Sequence, residues 1–218
     1  VAQLVEYNKK FLIIGSKNSI TYKEIFKLIK ENKLWLGYGF AGGNAYFKTP
    51  HYKEFANGVY DEKTGLVKFR NVGWYTNLDV SKRHEELTLF RRYNADDYPE
   101  YDNYEAIEVP RVANIPVDFN GAMGVPITFL DVHNPSQFEI IALGIVGSIQ
   151  FTKNRKMEIL KQGIPTGKYT MNAKGTLYRK YSPEKDKVPA FRDAETGELY
   201  ASIYARVIIT NKSLGVLS

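Results

Sequence analysis

Apolar residues occur along this chain in short bursts, and the spacing within each burst predicts an element. Val1 to Asn8 reads as the last turns of a helix. Phe11-Leu12-Ile13-Ile14-Gly15 is a continuous apolar run closed by glycine, which predicts a buried strand of an α/β sheet. Such a strand needs neighbours on both edges and cover on both faces, so the pattern predicts the later part of a larger α/β protein. Thr21-Tyr22-Lys23-Glu24 has capping-box spacing. Tyr22, Ile25, Leu28 and Ile29 follow at helical intervals and predict a helix of about ten residues. Lys33 to Gly37 predicts the next strand, completing a β-α-β rhythm like the far side of a doubly wound sheet.

Beyond this point the pattern is that of strands. Val59-Tyr60 and Leu66 to Phe69 flank Asp61-Glu62-Lys63-Thr64-Gly65, which predicts a hairpin with glycine in the left-handed position. Asp193-Ala194-Glu195-Thr196-Gly197, before Leu199-Tyr200, repeats that turn chemistry. Val72 to Leu78 predicts a strand, and Ile203 to Ile209 a closing strand that returns to the main body. Asn134-Pro135 before Ser136 to Glu139 predicts a short helix with proline at its first position. Phe138 to Leu143 is too short to assign by period. Thr152 to Arg192 holds few apolar residues and frequent glycines, and reads as a loop-like segment that orders on binding.

Charge sharpens the division. The net charge is +6, yet Tyr93 to Glu108 carries six acidic residues and no Lys or Arg, leaving +12 on the rest. Thr152 to Arg192 holds eleven Lys or Arg against three acidic residues, with Tyr169, Tyr178 and Tyr181 interleaved. Cations beside aromatics suit a polyanion with stackable bases, although most basic loops are simply solvated. The acidic segment either packs away from such a partner or cross-braces basic residues. The chain has no cysteine, which excludes disulfides, cysteine-zinc sites and thiol nucleophiles within it. No signal peptide or membrane-length apolar run is visible, and the reading is a cytoplasmic protein without membrane contact.

Gly37-Tyr38-Gly39-Phe40-Ala41-Gly42 matches G-x-G-x-x-G, but no helix pattern follows to meet a pyrophosphate, so a glycine-rich loop or irregular strand is the better account. His51, His84 and His133 lack metal-ligand spacing. Asn134-Pro135-Ser136 lacks the second proline and adjacent aromatic of a catalytic Asn-Pro-Pro-aromatic tetrapeptide. The most site-like stretch is Arg70-Asn71-Val72-Gly73-Trp74-Tyr75-Thr76-Asn77, where aromatic faces and amides could hold and read an extruded base. The plainer reading is a strand that buries one aromatic and exposes the other.

Taken in order, Tyr7 to Gly15, Ile20 to Glu24, Trp35-Leu36-Gly37-Tyr38, Gly73 to Asn77, Tyr98 to Tyr104, Gly124 to Asp131 and Asn134 to Ile140 resemble EcoRI-type adenine-specific DNA methyltransferases. The likeness is dense from about Leu4 to Leu143 and returns at Tyr204 to Ile209. It implies methyl transfer from S-adenosylmethionine to the N6 amine of adenine, with the base flipped from duplex DNA, in a restriction-modification setting. A cognate restriction endonuclease would share the system without forming a stable complex. An exocyclic amine attacking a methyl sulfonium needs no enzyme nucleophile, in keeping with the absent cysteine.

The family's cofactor glycine motif and Asn-Pro-Pro-Phe motif precede the strand matched by Phe11 to Gly15. The resemblance therefore implies a C-terminal part with no catalytic residue of its own. It would bind no cofactor alone, be inactive alone, and depend on a missing N-terminal half. The implied fold is mixed α/β: the distal part of a Rossmann-like methyltransferase sheet with a β-rich target-recognition region. Residues 1–40 would form the distal sheet, 41–150 a β-rich continuation, 151–192 a basic DNA-contacting segment and 193–218 a closing hairpin, strand and tail. Trp74, Tyr75 and Asn77 are the candidates for stacking on the target base. Arg70, Arg91, Arg92, Arg155, Lys156, Lys168, Arg179 and Lys180 are the candidates for DNA contact. The competing reading is a non-catalytic β-rich module for nucleic acid or carbohydrate. An exposed apolar flank on Phe11 to Gly15 is the expected mark of an incomplete sheet.

Overall fold

The computed structural model describes residues 1–37, 44–51, 55–56 and 58–214. It is mixed α/β with several sheets, mostly strands, and divides into two compact units, Val1–Val80 and Ser81–Ser218. Most of the glycine-rich motif at 37–42 lies outside the described residues.

In the first unit, α1 (Ala2–Glu6) precedes β1 (Leu12–Ser16), α2 (Lys23–Lys30) and β2 (Trp35–Leu36). Phe26 and Ile29 are the buried side of α2. β3 (Asn44–Phe47), β4 (Tyr60–Asp61), β5 (Leu66–Arg70) and β6 (Val72–Thr76) follow. β6 lies between β1 and β2 and runs antiparallel to both, so the two strands joined through α2 are parallel to each other. β3, β5 and β4 form a separate antiparallel sheet, and Gly65 closes its hairpin at φ 68°, where a side chain would be strained.

β1 is not the buried strand that its apolar run predicts. Leu12 is 54% exposed and Ile14 40%. The opposite face is filled by Tyr75, whose ring would touch a Cβ on Gly15 at 3.2 Å. β1 therefore has one covered and one open face, matching the exposed apolar flank expected of it.

The second unit begins with irregular chain and then carries β7 (Ile107–Glu108), β8 (Met123–Pro126) and β9 (Phe138–Leu143). β10 (Lys156–Lys161), β11 (Ile164–Met171) and β12 (Tyr178–Lys180) follow. β13 (Phe191–Asp193), β14 (Leu199–Ser202) and β15 (Arg206–Asn211) complete it. One sheet has the order β7-β8-β15-β9, with only β7 and β8 parallel. The other, β11-β10-β13-β14-β12, is wholly antiparallel. Met123, Val125, Phe129, Phe138, Val207 and Ile209 are buried in the first; Met157, Tyr178, Phe191 and Tyr200 cluster in the second.

Two expectations change here. Residues 152–192 carry three strands of an ordered sheet, with β10 and β11 paired along their length and β10 held on its other edge by β13. The short helix at Asn134-Pro135 is a turn instead: the Asn134 Oδ1 accepts from Ser136 N–H at 2.8 Å and folds the chain directly into β9. The closing strand β15 pairs with β8 and β9, so it does return to the β-rich body.

His133 donates from Nε2 to the Phe138 carbonyl at 3.1 Å and packs beside Phe129. Burial, only partly opposed by that hydrogen bond, pushes its pKa down from 6.5 to about 4. The neutral ring thus favours the folded state above pH 6.5, and this stability is lost as pH falls toward 4. Denaturant unfolding should reveal a loss of about 2 kcal/mol between roughly pH 7.5 and pH 5, above the range in which carboxylates titrate. His133→Gln should remove that dependence; an unchanged slope would mean that His133 is not its source.

Candidate nucleic-acid interface

Strand alternation sorts the three candidate base-stacking residues. Tyr75 points inward and is 3% exposed; its hydroxyl donates to the Ser16 carbonyl at 2.9 Å and bonds the Ser19 hydroxyl at 3.0 Å. Asn77 ties two chain segments together: its Oδ1 accepts from Phe11 N–H at 3.0 Å and its Nδ2 donates to the Lys9 carbonyl at 2.9 Å. Trp74 is opposite Ile14 in the β1–β6 register, on the half-open face with Leu12, and is partly exposed. Gly37 lies against it: a Cβ there would come 3.1 Å from Trp74 Cβ. Of the three, Tyr75 is buried, while Trp74 and Asn77 are both partly exposed and Asn77 is engaged by backbone partners.

The basic candidates separate in the same way. Arg179 is buried: Nε donates to Glu108 at 2.5 Å, and both terminal nitrogens reach Asp186, at 2.7 and 2.8 Å. Arg206 donates to the other Glu108 oxygen at 3.0 Å. Burial pulls the Arg179 pKa down, but its bonds to Asp186 and Glu108 outweigh this and raise it. Asp186 is likewise raised by burial and lowered more by Arg179 and Ser182 N–H.

Arg155 bridges Asp102 at 3.0 Å and Asp193 at 2.6 Å and lies over the Tyr200 ring. Lys153 also reaches Asp102, at 3.1 Å. Of the two roles expected for the acidic segment, cross-bracing is the one that Asp102 and Glu108 perform. The sequence carried that signal as clustered opposite charges, but gave no way to tell internal braces from outward cations.

The outward cations are Arg70, Arg91, Arg92, Lys156, Lys168 and Lys180. Lys180 pairs with Glu198 at 2.7 Å in solvent, and Arg92 lies 3.9 Å from Asp118. Such exposed pairs exchange readily with another anion. Lys156 covers the Tyr169 ring at 4.9 Å on the β10–β11 ribbon, whose edge strand β11 is exposed at nearly every position. Lys161 extends the cationic surface near its turn. This ribbon escaped sequence reading because it has no apolar period.

Among the described residues no group of His, Cys, Asp and Glu could hold a metal, and no helix is long and apolar enough to cross a membrane. A shallow cleft is lined by Val5, Glu6, Asn8, Lys10, Asn32, Lys33, Trp35 and Asn77.

Comparison with known proteins supplies a methyltransferase family. The chain belongs to the family described as adenine-specific methyltransferase EcoRI, whose model matches residues 1–212. It is 51% identical over 144 residues to the type II methyltransferase M.EcoRI of Escherichia coli, covering 64% of this chain and 44% of that protein. It is 36% identical over 149 residues to the type II methyltransferase M.MgeORF184P of Mycoplasma genitalium, covering 63% of this chain and 45% of that one. The type II methyltransferase M.MpnI of Mycoplasma pneumoniae is 36% identical over 147 residues, covering 65% and 46%. The chain thus spans about half the length of the curated relatives it matches. No solved structure matches it significantly.

Replacing Arg179 with Ala would leave Glu108 and Asp186 buried without their partner. Urea unfolding should record a loss of about 3–5 kcal/mol. Lys180→Ala, one residue on but exposed, should change stability by less than about 0.5 kcal/mol. Equal effects of the two would contradict the division into braces and surface cations.

Proposed function

We propose that this chain is the DNA-facing, C-terminal part of a site-specific DNA adenine-N6 methyltransferase of restriction-modification type. The observation that carries this reading is the family match across residues 1–212. The relatives' designation as type II methyltransferases agrees with it. Rossmann-like character is supported by the β1–α2–β2 crossover, which links two parallel strands on either side of β6. The open apolar face at Leu12 and Ile14 suits a sheet that continues into an N-terminal half.

In this reading the flipped adenine stacks on Trp74, while Tyr75 and Asn77 fix the strand that presents it. Arg70, Lys156, Lys168 and Lys180 take phosphates, together with Arg91 and Arg92. Arg155 and Arg179, through their carboxylate partners, fix the second-unit strands that carry Lys156 and Lys180. S-adenosylmethionine supplies the methyl group in the full-length protein and is held there by residues outside this chain. The 218 residues alone are inactive. The protein acts in the cytoplasm on double-stranded DNA, and a cognate restriction endonuclease is its counterpart without stable association.

Transfer of labelled methyl groups to duplex DNA tests the activity. The full-length protein should label adenine N6, and the isolated 218 residues should not. Labelling by the isolated chain would overturn its dependence on an N-terminal half, and no labelling by the full-length protein would overturn the enzyme reading.

DNA binding by the full-length protein tests the surface. Lys156→Gln and Lys168→Gln should each flatten the dependence of log affinity on log salt by about one unit. Trp74→Ala should weaken binding to the target duplex by about 1–3 kcal/mol without changing that slope. Fluorescence anisotropy across a salt series measures both. Unaltered slopes would remove the ribbon from the interface, and unaltered affinity would return Trp74 to a packing role.

A further inference from the structure

Between β11 and β12 the chain turns through Asn172–Gly175, and all four residues lie in the left-handed region, at φ 44°, 49°, 66° and 77°. Glycine adopts that region freely and asparagine tolerates it, but Ala173 and Lys174 are strained there. The turn closes with Thr176 N–H donating to the Asn172 carbonyl at 3.0 Å. Asn172 is buried: its Oδ1 accepts from Arg155 N–H at 3.0 Å and its Nδ2 donates to Asn154 Oδ1 at 2.9 Å. Ala173 is buried in the cluster of Met157, Tyr178, Phe191 and Tyr200. Both side chains are thus used inside the unit. Lys174 is exposed, and among the described residues none forms a hydrogen bond or ion pair with its ammonium. Glycine at 174 would hold the same backbone without strain.

A second turn is fastened beside the first. Val146 N–H donates to the Gly175 carbonyl at 2.7 Å, and Ile145 bridges Thr176. A Cβ on Gly175 would come 2.9 Å from Val146 Cγ1, yet Val146 is 67% exposed. The Ser148 hydroxyl accepts from Leu143 N–H at 3.0 Å, and Ser148 N–H donates to the Ile145 carbonyl at 3.1 Å. Asn103 holds the far side, donating to the Thr176 carbonyl at 3.1 Å and accepting from Tyr178 N–H at 3.2 Å. The paired turns therefore present one unpaired cation and one apolar side chain on a backbone braced from both sides. Neighbouring cations differ: Lys153 and Lys180 reach carboxylates, and Lys156 covers a ring. A phosphate contact tolerates a lysine on a mobile stem. Base edges offer acceptors only at fixed points in the groove, so reading them needs a donor of fixed origin.

We propose that Lys174 and Val146 form a base-reading tip. The Lys174 ammonium donates to O6 and N7 of a guanine in the major groove, and the Val146 methyls pack on the C5 methyl of a nearby thymine. This rests on the DNA methyltransferase reading and assigns specificity-determining residues to it. Every residue it uses belongs to the second unit. The strain at Lys174 follows from that role: the turn has to carry a side chain where glycine would be easier, and the bonds of Asn172, Asn103 and Val146 keep the backbone in place.

The test uses the full-length protein on a library of duplexes of random sequence, with methylated adenines mapped by sequencing. Lys174→Ala should lose discrimination for guanine at one position of the preferred site by roughly tenfold or more, with the other positions kept. Val146→Ala should relax a nearby thymine by a smaller factor. In a duplex of the preferred site, 7-deazaguanine at that position lacks the N7 acceptor. It should weaken binding by wild type and leave Lys174→Ala unaffected. Lys174→Gly should lose the same discrimination while melting at or above the wild-type temperature, because it relieves the strain. An unchanged preferred site in Lys174→Ala would overturn the reading, and a flattened salt dependence with it would make Lys174 a phosphate contact. A lowered melting temperature in Lys174→Gly with the preferred site kept would overturn it too, and leave the lysine as part of the fold. A wild-type protein that methylates no duplex would instead overturn the methyltransferase reading beneath it.

Discussion

Glu108 is the point on which the second unit turns. It ends the shortest strand of one sheet, and its carboxylate receives Arg206 from β15, on the far side of β8, and Arg179 from β12 of the other sheet. Arg179 continues to Asp186 in the turn before β13, and Asp186 also accepts from Ser182 N–H at 3.0 Å. Two carboxylates face two guanidiniums, so the cluster is neutral in sum and can be buried with limited desolvation cost. Its apolar surroundings make it directional: the sheets can meet in only the few arrangements that satisfy every oxygen. Among the described residues, Arg206 Nε is the buried side-chain nitrogen left without a partner, which shows how little slack this geometry has.

A second brace repeats the logic at lower burial. Asp102 receives Lys153 and Arg155, and Arg155 passes on to Asp193, which also accepts the N–H groups of Glu195 and Thr196. One acidic stretch of sequence thus supplies an anchor to each half of the basic stretch. The long-range pairing, rather than any local preference, gives residues 152–192 their order. With Arg155 and Arg179 occupied internally, the cations left on the surface are mainly lysines, and Lys156, Lys161, Lys168 and Lys180 among them sit on strands. Their positions are fixed by ladder hydrogen bonds rather than by their own flexible stems.

This explains what the sequence could and could not disclose. Turns written in local chemistry were legible: Gly65 and Gly197 both occupy the left-handed region that their Asp-x-x-x-Gly patterns require. Opposite charge blocks announced cross-bracing, but not which residue meets which. The β10–β11 ribbon was illegible because its outer strand is polar, glycine-bearing and exposed, so no apolar period marks it. The Asn134 turn was misread because Asn-Pro suits a helix start as well as an Asx turn, and the deciding contacts, to Glu85 and Ser136, are partly remote. Tyr75 and Asn77 looked like ligand-facing groups because composition does not reveal that backbone partners engage them.

The same constraint connects fold and proposed site. Residues 85–93 are held by side chains from elsewhere in the unit that bond their backbone. Gln137 does so by matching both the N–H and the carbonyl of Leu87, a pairing that a shorter amide or a hydroxyl could not span. Its own position is set by β9 and by Lys212 N–H, which donates to the Gln137 carbonyl at 2.9 Å. Since β9 pairs with β15, and β15 carries Arg206 to Glu108, residues 85–93 are tied to the buried ion cluster through one run of strand pairing. Rigidity at the surface is then a property inherited from charge neutralised in the interior.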